Sequence, residues 1–170
     1  DAFGAAHRAH ASTVGVTDHL PSVAGFLMMR ELNALGDVME NPESPFVAIM
    51  GGAKVSDKIG VIKNLMNKVD YLLVGGGIAN TFLKASGYET GDSLVEEENL
   101  DVAKEILKET EENDVKLILP DDVLIADDFK NDANRKAVAI DEIPEDWQCL
   151  DAGGPETIKK YSDILMKAKT

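Results

Sequence analysis

Apolar and polar positions along this 170-residue chain alternate between two rhythms. Residues 46–50 form a short run that is apolar throughout and stops at Gly51 and Gly52, which predicts a buried strand. Val55, Ile59, Ile62, Leu65, Met66 and Val69 then recur at helical spacing. A second apolar run at 71–74 ends at Gly75, Gly76 and Gly77, and a helix is expected over 78–86. Ser93 and Glu96 have capping-box spacing and predict the start of a further helix, with Leu100, Ala103, Ile106 and Leu107 on one face. Residues 115–119 read as a third strand, 123–126 and 137–140 as shorter strands, and 155–167 as the last helix.

Upstream, residues 1–17 show little periodicity and read as a loop or the end of a strand. From Pro21 the pattern turns helical, with Val23, Phe26, Leu27, Leu35, Val38 and Met39 on a loose stripe, until Asn41 and Pro42 end it. That gives a helix of roughly 18 residues. Met28, Met29, Met50 and Met66 read as core filler.

Strands alternating with helices predict an α/β fold: a parallel sheet with right-handed crossovers and helices on both faces, in three layers. Three long strands amount to half of a doubly wound sheet. The edge where further strands would pair is then open, and an open edge invites association.

Composition narrows this little: 44% hydrophobic and 28% charged residues are ordinary for a globular protein and exclude wholesale disorder. No apolar run approaches the roughly 20 residues a membrane helix needs, and the first residues lack the layout of a secretory signal. Charge says more. Seventeen basic against thirty-one acidic residues give a net −14, which argues against nucleic acid or an anionic membrane as partner. The acids concentrate at 89–146, whereas 51–68 carries four lysines against one aspartate. A basic patch kept beside glycines in an acidic protein points to a small anion. The single cysteine, Cys149, excludes an internal disulfide and fits a reducing compartment such as the cytoplasm.

The sharpest local signal is strand, GGAKVSDK, helix. Glycines let the backbone approach a ligand, and a following helix offers N–H groups and a positive dipole end. Lys54 and Lys58 are four apart and are expected on one helical face, aimed at one polyphosphate. A tight turn with two solvated lysines is the alternative. Neither GxxxxGK[ST] nor GxGxxG is present. Gly75, Gly76 and Gly77 also follow a strand, so the two clusters would form one floor outside the strand ends, unless they serve only close packing. Arg8, between His7 and His10, suits a carboxylate or phosphate, or is simply a loop residue. His7 and His10 lack the further ligands of a metal site. Asp121, Asp122, Asp127 and Asp128 lack EF-hand spacing and read as a solvated acidic surface, and Cys149 as a packed thiol.

Taken in order, DAFGAAHRAHAS, PSVAGFLMMREL, PFVAIMGGAKVSDKIGVI, LLVGGGIANTFLKASGY, KLILPDDVLIAD and DEIPEDWQCLDAG resemble phosphoglycerate kinase along essentially the whole chain. The resemblance implies reversible phosphoryl transfer between 1,3-bisphosphoglycerate and ADP, giving 3-phosphoglycerate and ATP with Mg²⁺, in a cytoplasmic, glycolytic, monomeric enzyme. It also implies an internal fragment: the end of the N-terminal substrate domain at 1–17, a connecting interdomain helix and loop at 18–45, and at 46–170 part of a Rossmann-like nucleotide domain. By the same resemblance Arg8, with His7 nearby, contacts phosphoglycerate, Lys54 faces the transferring phosphoryl group, and Lys58 faces the nucleotide phosphates. Gly52, Ala53, Gly76 and Gly77 line the adenosine pocket, and Leu150 covers the other face of the adenine.

Two departures from the family pattern stand out. Cys149 occupies a place where glycine is usual, and a side chain there is expected to narrow the adenine pocket. Asp151, Ala152, Gly153, Gly154 and Pro155 replace D-x-G-P with one residue more, which bears on the register of the last helix. Most of the N-terminal domain and the family's glycine-rich Mg²⁺ and phosphate segment are not in this sequence, so the fragment alone is expected to be inactive. The competing reading is a non-catalytic nucleotide-binding or interaction module built from half the kinase fold.

Overall fold

The computed structural model describes residues 1–151 and 153–170, and the chain divides into two units, Asp1–Pro42 and Glu43–Thr170. The first holds two 3₁₀ turns, Phe3–Ala5 and Gly15–Asp18, and the helix α1, Phe26–Glu40. Residues 1–17 are thus turns and not a strand end. The helix also starts later than Pro21, because its entry is fixed from outside: the Asp1 carboxylate accepts the Met28 N–H at 3.1 Å. Gly25 precedes the helix, and a Cβ there would run into that carboxylate. The apolar stripe is real but unburied. Phe26 is 94% exposed, and Leu27, Leu32 and Leu35 are exposed with it. Met29 is exposed too, so only Met50 and Met66 of the four methionines fill a core.

The second unit is α/β, as the pattern predicts. β1 (Val47–Met50), β2 (Tyr71–Val74) and β3 (Lys116–Ile118) form a parallel sheet in the order β1-β2-β3, with Met50 level with Val74 and Leu73 with Ile118. Leu72, Leu73 and Val74 are fully buried, as a central strand covered on both faces requires. Against one face lie α2 (Ile59–Leu65), α3 (Gly76–Ala85) and α4 (Leu100–Glu112). Ile62, Ile78, Phe82, Ala103 and Ile106 close that core with Leu72 and Val74. Each of the larger ones contributes about 1.5–3 kcal/mol through burial.

The shorter strands behave differently from the expectation. β4 (Asp122–Ala126) and β5 (Arg135–Ala139) leave the parallel sheet and pair antiparallel in a second sheet of order β5-β4-β6, with β6 at Gln148–Asp151. Val123, Ile125, Ile143 and Cys149 form its separate core. The capping box also fails. Ser93 accepts the Cys149 N–H at 2.8 Å, Glu96 turns to Ser56, and α4 begins only at Leu100, after a 3₁₀ turn Glu97–Asn99.

The last helix, α5 (Pro155–Leu165), is anchored at both ends of its first two turns. The Asp122 carboxylate accepts the N–H groups of Glu156 at 3.0 Å and Thr157 at 2.8 Å, and the Thr157 hydroxyl donates to the Asp122 carbonyl. This carboxylate is buried and not part of a solvated acidic surface. A Cβ on Gly154 would collide with it, so any larger residue before Pro155 would force the carboxylate to shift. Ala152 lies outside the described residues. Two turns on, the Tyr161 hydroxyl reaches the carbonyls of Val74 at 2.7 Å and Ile118 at 3.0 Å, at the ends of β2 and β3. Burial pushes that hydroxyl above the ordinary tyrosine range. Among the described residues no helix is long and apolar enough to cross a membrane.

Burial alone would raise the Asp122 carboxyl, but the Thr157 hydroxyl and the backbone donors of Thr157 and Glu156 outweigh it and leave it net below its ordinary 3.8. A carboxylate depressed in the folded state stabilises the fold above its unfolded value and loses that contribution as pH falls through the folded one. Asp122→Ala should therefore destabilise the chain by about 2–3 kcal/mol in neutral urea melts, and the gap between variant and parent should shrink below pH 3.8.

Candidate functional site

Both glycine clusters sit where their parallel strands end, and the structure brings them into backbone contact. The Gly75 N–H donates to the Met50 carbonyl at 2.9 Å, and the Ile78 N–H to the Gly52 carbonyl at 3.0 Å. Gly76 has a left-handed φ of 64°, which a side chain rarely tolerates. A Cβ on Gly77 would lie 2.6 Å from the Ala53 carbonyl oxygen. The first turn of α3 therefore rests on the Gly52–Ala53 turn with no side chain between them. Close packing explains the second glycine cluster, and it also produces the shared floor.

Lys54 lies on the exposed part of the first turn, while Lys58 is half-buried in a 3₁₀ turn, Ser56–Lys58. They do not share a face of one α-helix as their spacing predicts, because α2 begins only at Ile59. Beside Gly76 and Gly77 opens a cavity of about 280 Å³, closed on the far side by Gln148, Cys149, Leu150 and Asp151 of β6. Asn80, Leu94 and Phe129 complete its wall. Leu150, Gly76 and Gly77 thus line one cavity, whereas Gly52, Ala53, Lys54 and Lys58 are not among its lining residues. Arg8 and His7 belong to the other unit, where both are exposed and the Arg8 carbonyl accepts the Thr13 hydroxyl at 3.1 Å.

Cys149 borders the cavity, yet its side chain is buried in the core of the second sheet. Burial and then the nearby Asp151 charge push its thiol up to about 11, so it is not a reactive nucleophile at neutral pH. Sequence reasoning missed Asn80, Leu94 and Phe129. The available signal for two of them was apolar side chains in loops: Leu94 is 60% and Phe129 80% exposed. Glu96 was assigned to the wrong task. Its buried carboxylate accepts the Ser56 N–H at 2.9 Å and the Ser56 hydroxyl, on the turn that carries Lys54. The Ser56 hydroxyl first, against the opposing effect of burial, and then the backbone donors of Ser56 and Val55 and the Lys54 charge hold it below the ordinary carboxylate range. Among the described residues no group of three or more His, Cys, Asp or Glu side chains is arranged to hold a metal ion.

A family model described as phosphoglycerate kinase matches residues 1–170. Phosphoglycerate kinases of Roseiflexus sp. (strain RS-1) and Roseiflexus castenholzii are each 59% identical over all 170 residues, which cover 43% of each relative. The chain therefore spans about two fifths of the length of the curated relatives it matches. The structure of phosphoglycerate kinase from Coxiella burnetii superposes with a TM-score of 0.91 at 46% identity, covering 100% of this chain and 44% of that one. The enzyme from Pyrococcus horikoshii OT3 gives 0.82 at 31% identity, covering 99% and 43%. With the sequence motifs, the glycine-floored sheet rim and a match over every residue in agreement, the chain belongs to the phosphoglycerate kinase family.

Proposed function

We propose that residues 43–170 form the nucleotide half of a phosphoglycerate kinase site, in which Gly52, Ala53, Gly76 and Gly77 carry adenosine and Leu150 covers the base. The observation that carries this reading is the direct seating of one glycine turn on the other beside the 280 Å³ cavity, with Lys54 on the same turn. Lys54 meets the transferring phosphoryl group and Lys58 the nucleotide phosphates, where the N-terminal end of α3 adds positive potential. Arg8 binds the phosphoglycerate. Phosphoryl transfer asks the protein for alignment and positive charge more than for covalent chemistry, and lysine and arginine beside backbone donors supply both. No residue of this chain is assigned to Mg²⁺.

Titrating the chain with ADP and with adenosine by calorimetry tests the assignment. Lys58→Ala should weaken ADP by about tenfold and leave adenosine nearly unchanged, the loss of one charge-assisted contact. Gly77→Ala, which forces a methyl onto the Ala53 carbonyl, should weaken both ligands. Equal ADP affinity in parent and Lys58→Ala would remove the phosphate role.

The 170 residues taken alone hold only part of the two-substrate site, so they should form no ATP above background in a coupled assay with 1,3-bisphosphoglycerate. Turnover abolished by Lys54→Ala would overturn this.

Self-association of the isolated chain is also expected. β1 is an edge strand whose Ile49 is 65% exposed, and along it the Val47 N–H is taken by the Thr170 carbonyl. Sedimentation velocity should show a mass that rises with concentration, and a constant monomer mass would exclude it.

A further inference from the structure

Residues 91–96 hydrogen-bond to the β6 segment, to α3 and to the turn after β1. Asp92 donates its N–H to the Trp147 carbonyl at 3.0 Å, and Ser93 accepts the Cys149 N–H, so one end is bound to β6 behind the cavity. In the middle, the Leu94 carbonyl accepts the Asn80 side chain of α3 at 3.3 Å, and Leu94 itself lines the cavity. At the other end the Glu96 N–H donates to the Thr81 hydroxyl at 3.2 Å, and that hydroxyl donates to the Gly77 carbonyl at 2.9 Å. The Glu96 carboxylate then crosses to the opposite turn and takes both donors of Ser56, two residues after Lys54.

We propose that Glu96 is a positioning residue for phosphate recognition: its carboxylate clamps Ser56, fixes the turn that presents Lys54 and Lys58, and ties that turn through Thr81 to the floor at Gly77. A buried carboxylate is costly unless its oxygens are satisfied, and here the donors come from the loop being held. The bond pattern also answers why an acid sits beside a site for anions. Its oxygens are engaged by Ser56 and turned toward the turn's backbone, while Lys54 stays exposed. Among the described residues Glu96 supplies the side-chain hydrogen bonds at Ser56, so without the clamp the turn after β1 loosens and Lys54 and Lys58 sample many positions in place of one. The inference rests on the nucleotide reading above for the identity of the ligand, but the clamp itself is a separate claim about residues 54–58.

The test has two arms on the 170-residue chain. In the first, amide hydrogen exchange followed residue by residue should show Glu96→Ala raising exchange at Ser56 by about tenfold or more, with β1 and β2 protected as in the parent. In the second, Glu96→Ala should weaken ADP by about tenfold and adenosine less than twofold, while Glu96→Gln, which keeps an oxygen for the Ser56 N–H, recovers most of the loss. Ser56→Ala attacks the same clamp from its other side and serves if Glu96→Ala does not fold; it should weaken ADP by about threefold with adenosine unchanged. Unchanged exchange at Ser56, or equal losses for ADP and adenosine, would overturn the proposal. If the parent chain binds neither ligand, the nucleotide reading fails instead, and the exchange arm alone decides whether Glu96 holds the turn.

Discussion

The candidate site depends on two peptide backbones meeting without side chains between them. Parallel strands leave their chain ends at the same rim, and whatever follows each strand must share a narrow space. Here Gly52 and Ala53 fill half of it, and the first turn of α3 fills the other half, joined by the Ile78 to Gly52 hydrogen bond. Any β-carbon on Gly77 meets a carbonyl. Glycine at these positions is thus a packing demand first. The cavity lined by Gly76 and Gly77 opens beside this contact.

Around that contact the molecule fixes its strand ends from several directions. Tyr161 reaches the carbonyls that close β2 and β3, Asp122 holds the start of the helix that brings Tyr161 there, and Glu96 holds the turn after β1. Each is a polar side chain used across a long sequence separation, and each is buried or half-buried. Asp122 and Glu96 both lie in the acidic stretch 89–146, and Asp122 is one of the four aspartates that read as a solvated surface. Charge counted along the chain describes its outside well, but the few acids that turn inward do different work.

Local patterns revealed what local forces decide. The runs at 46–50 and 71–74 became β1 and β2; the central β2 is covered on both faces and must be apolar throughout, whereas the edge strand β1 leaves Ile49 exposed. Residues 115–119 shrank to Lys116–Ile118, since β3 is an edge. Strand β6 was invisible: Gln148–Asp151 is short and polar at both ends, and it exists because β4 offers it a partner. The glycine floor was legible in the site, being a matter of strand ends. The joint helical face for Lys54 and Lys58 was not, because residues 56–58 wind as a 3₁₀ turn before α2. Ser93 and Glu96 carried capping chemistry but spent it on β6 and on Ser56, targets more than 35 residues away in sequence. Spacing tells what a side chain can bond; tertiary structure selects the partner.

The anchoring of α5 has a bearing on how this fold tolerates change in length. A helix whose first N–H groups are received by a carboxylate on a distant strand is addressed by that carboxylate, and not by the number of residues leading up to it. Asp151 to Gly154, where the sequence has one residue more than the D-x-G-P pattern it resembles, precedes that anchoring point. Tyr161 keeps its phase, and the sheet keeps its lock. Insertions and deletions in that short connection are thereby uncoupled from the rest of the domain, which leaves evolution free to vary the approach to the helix without moving what the helix holds.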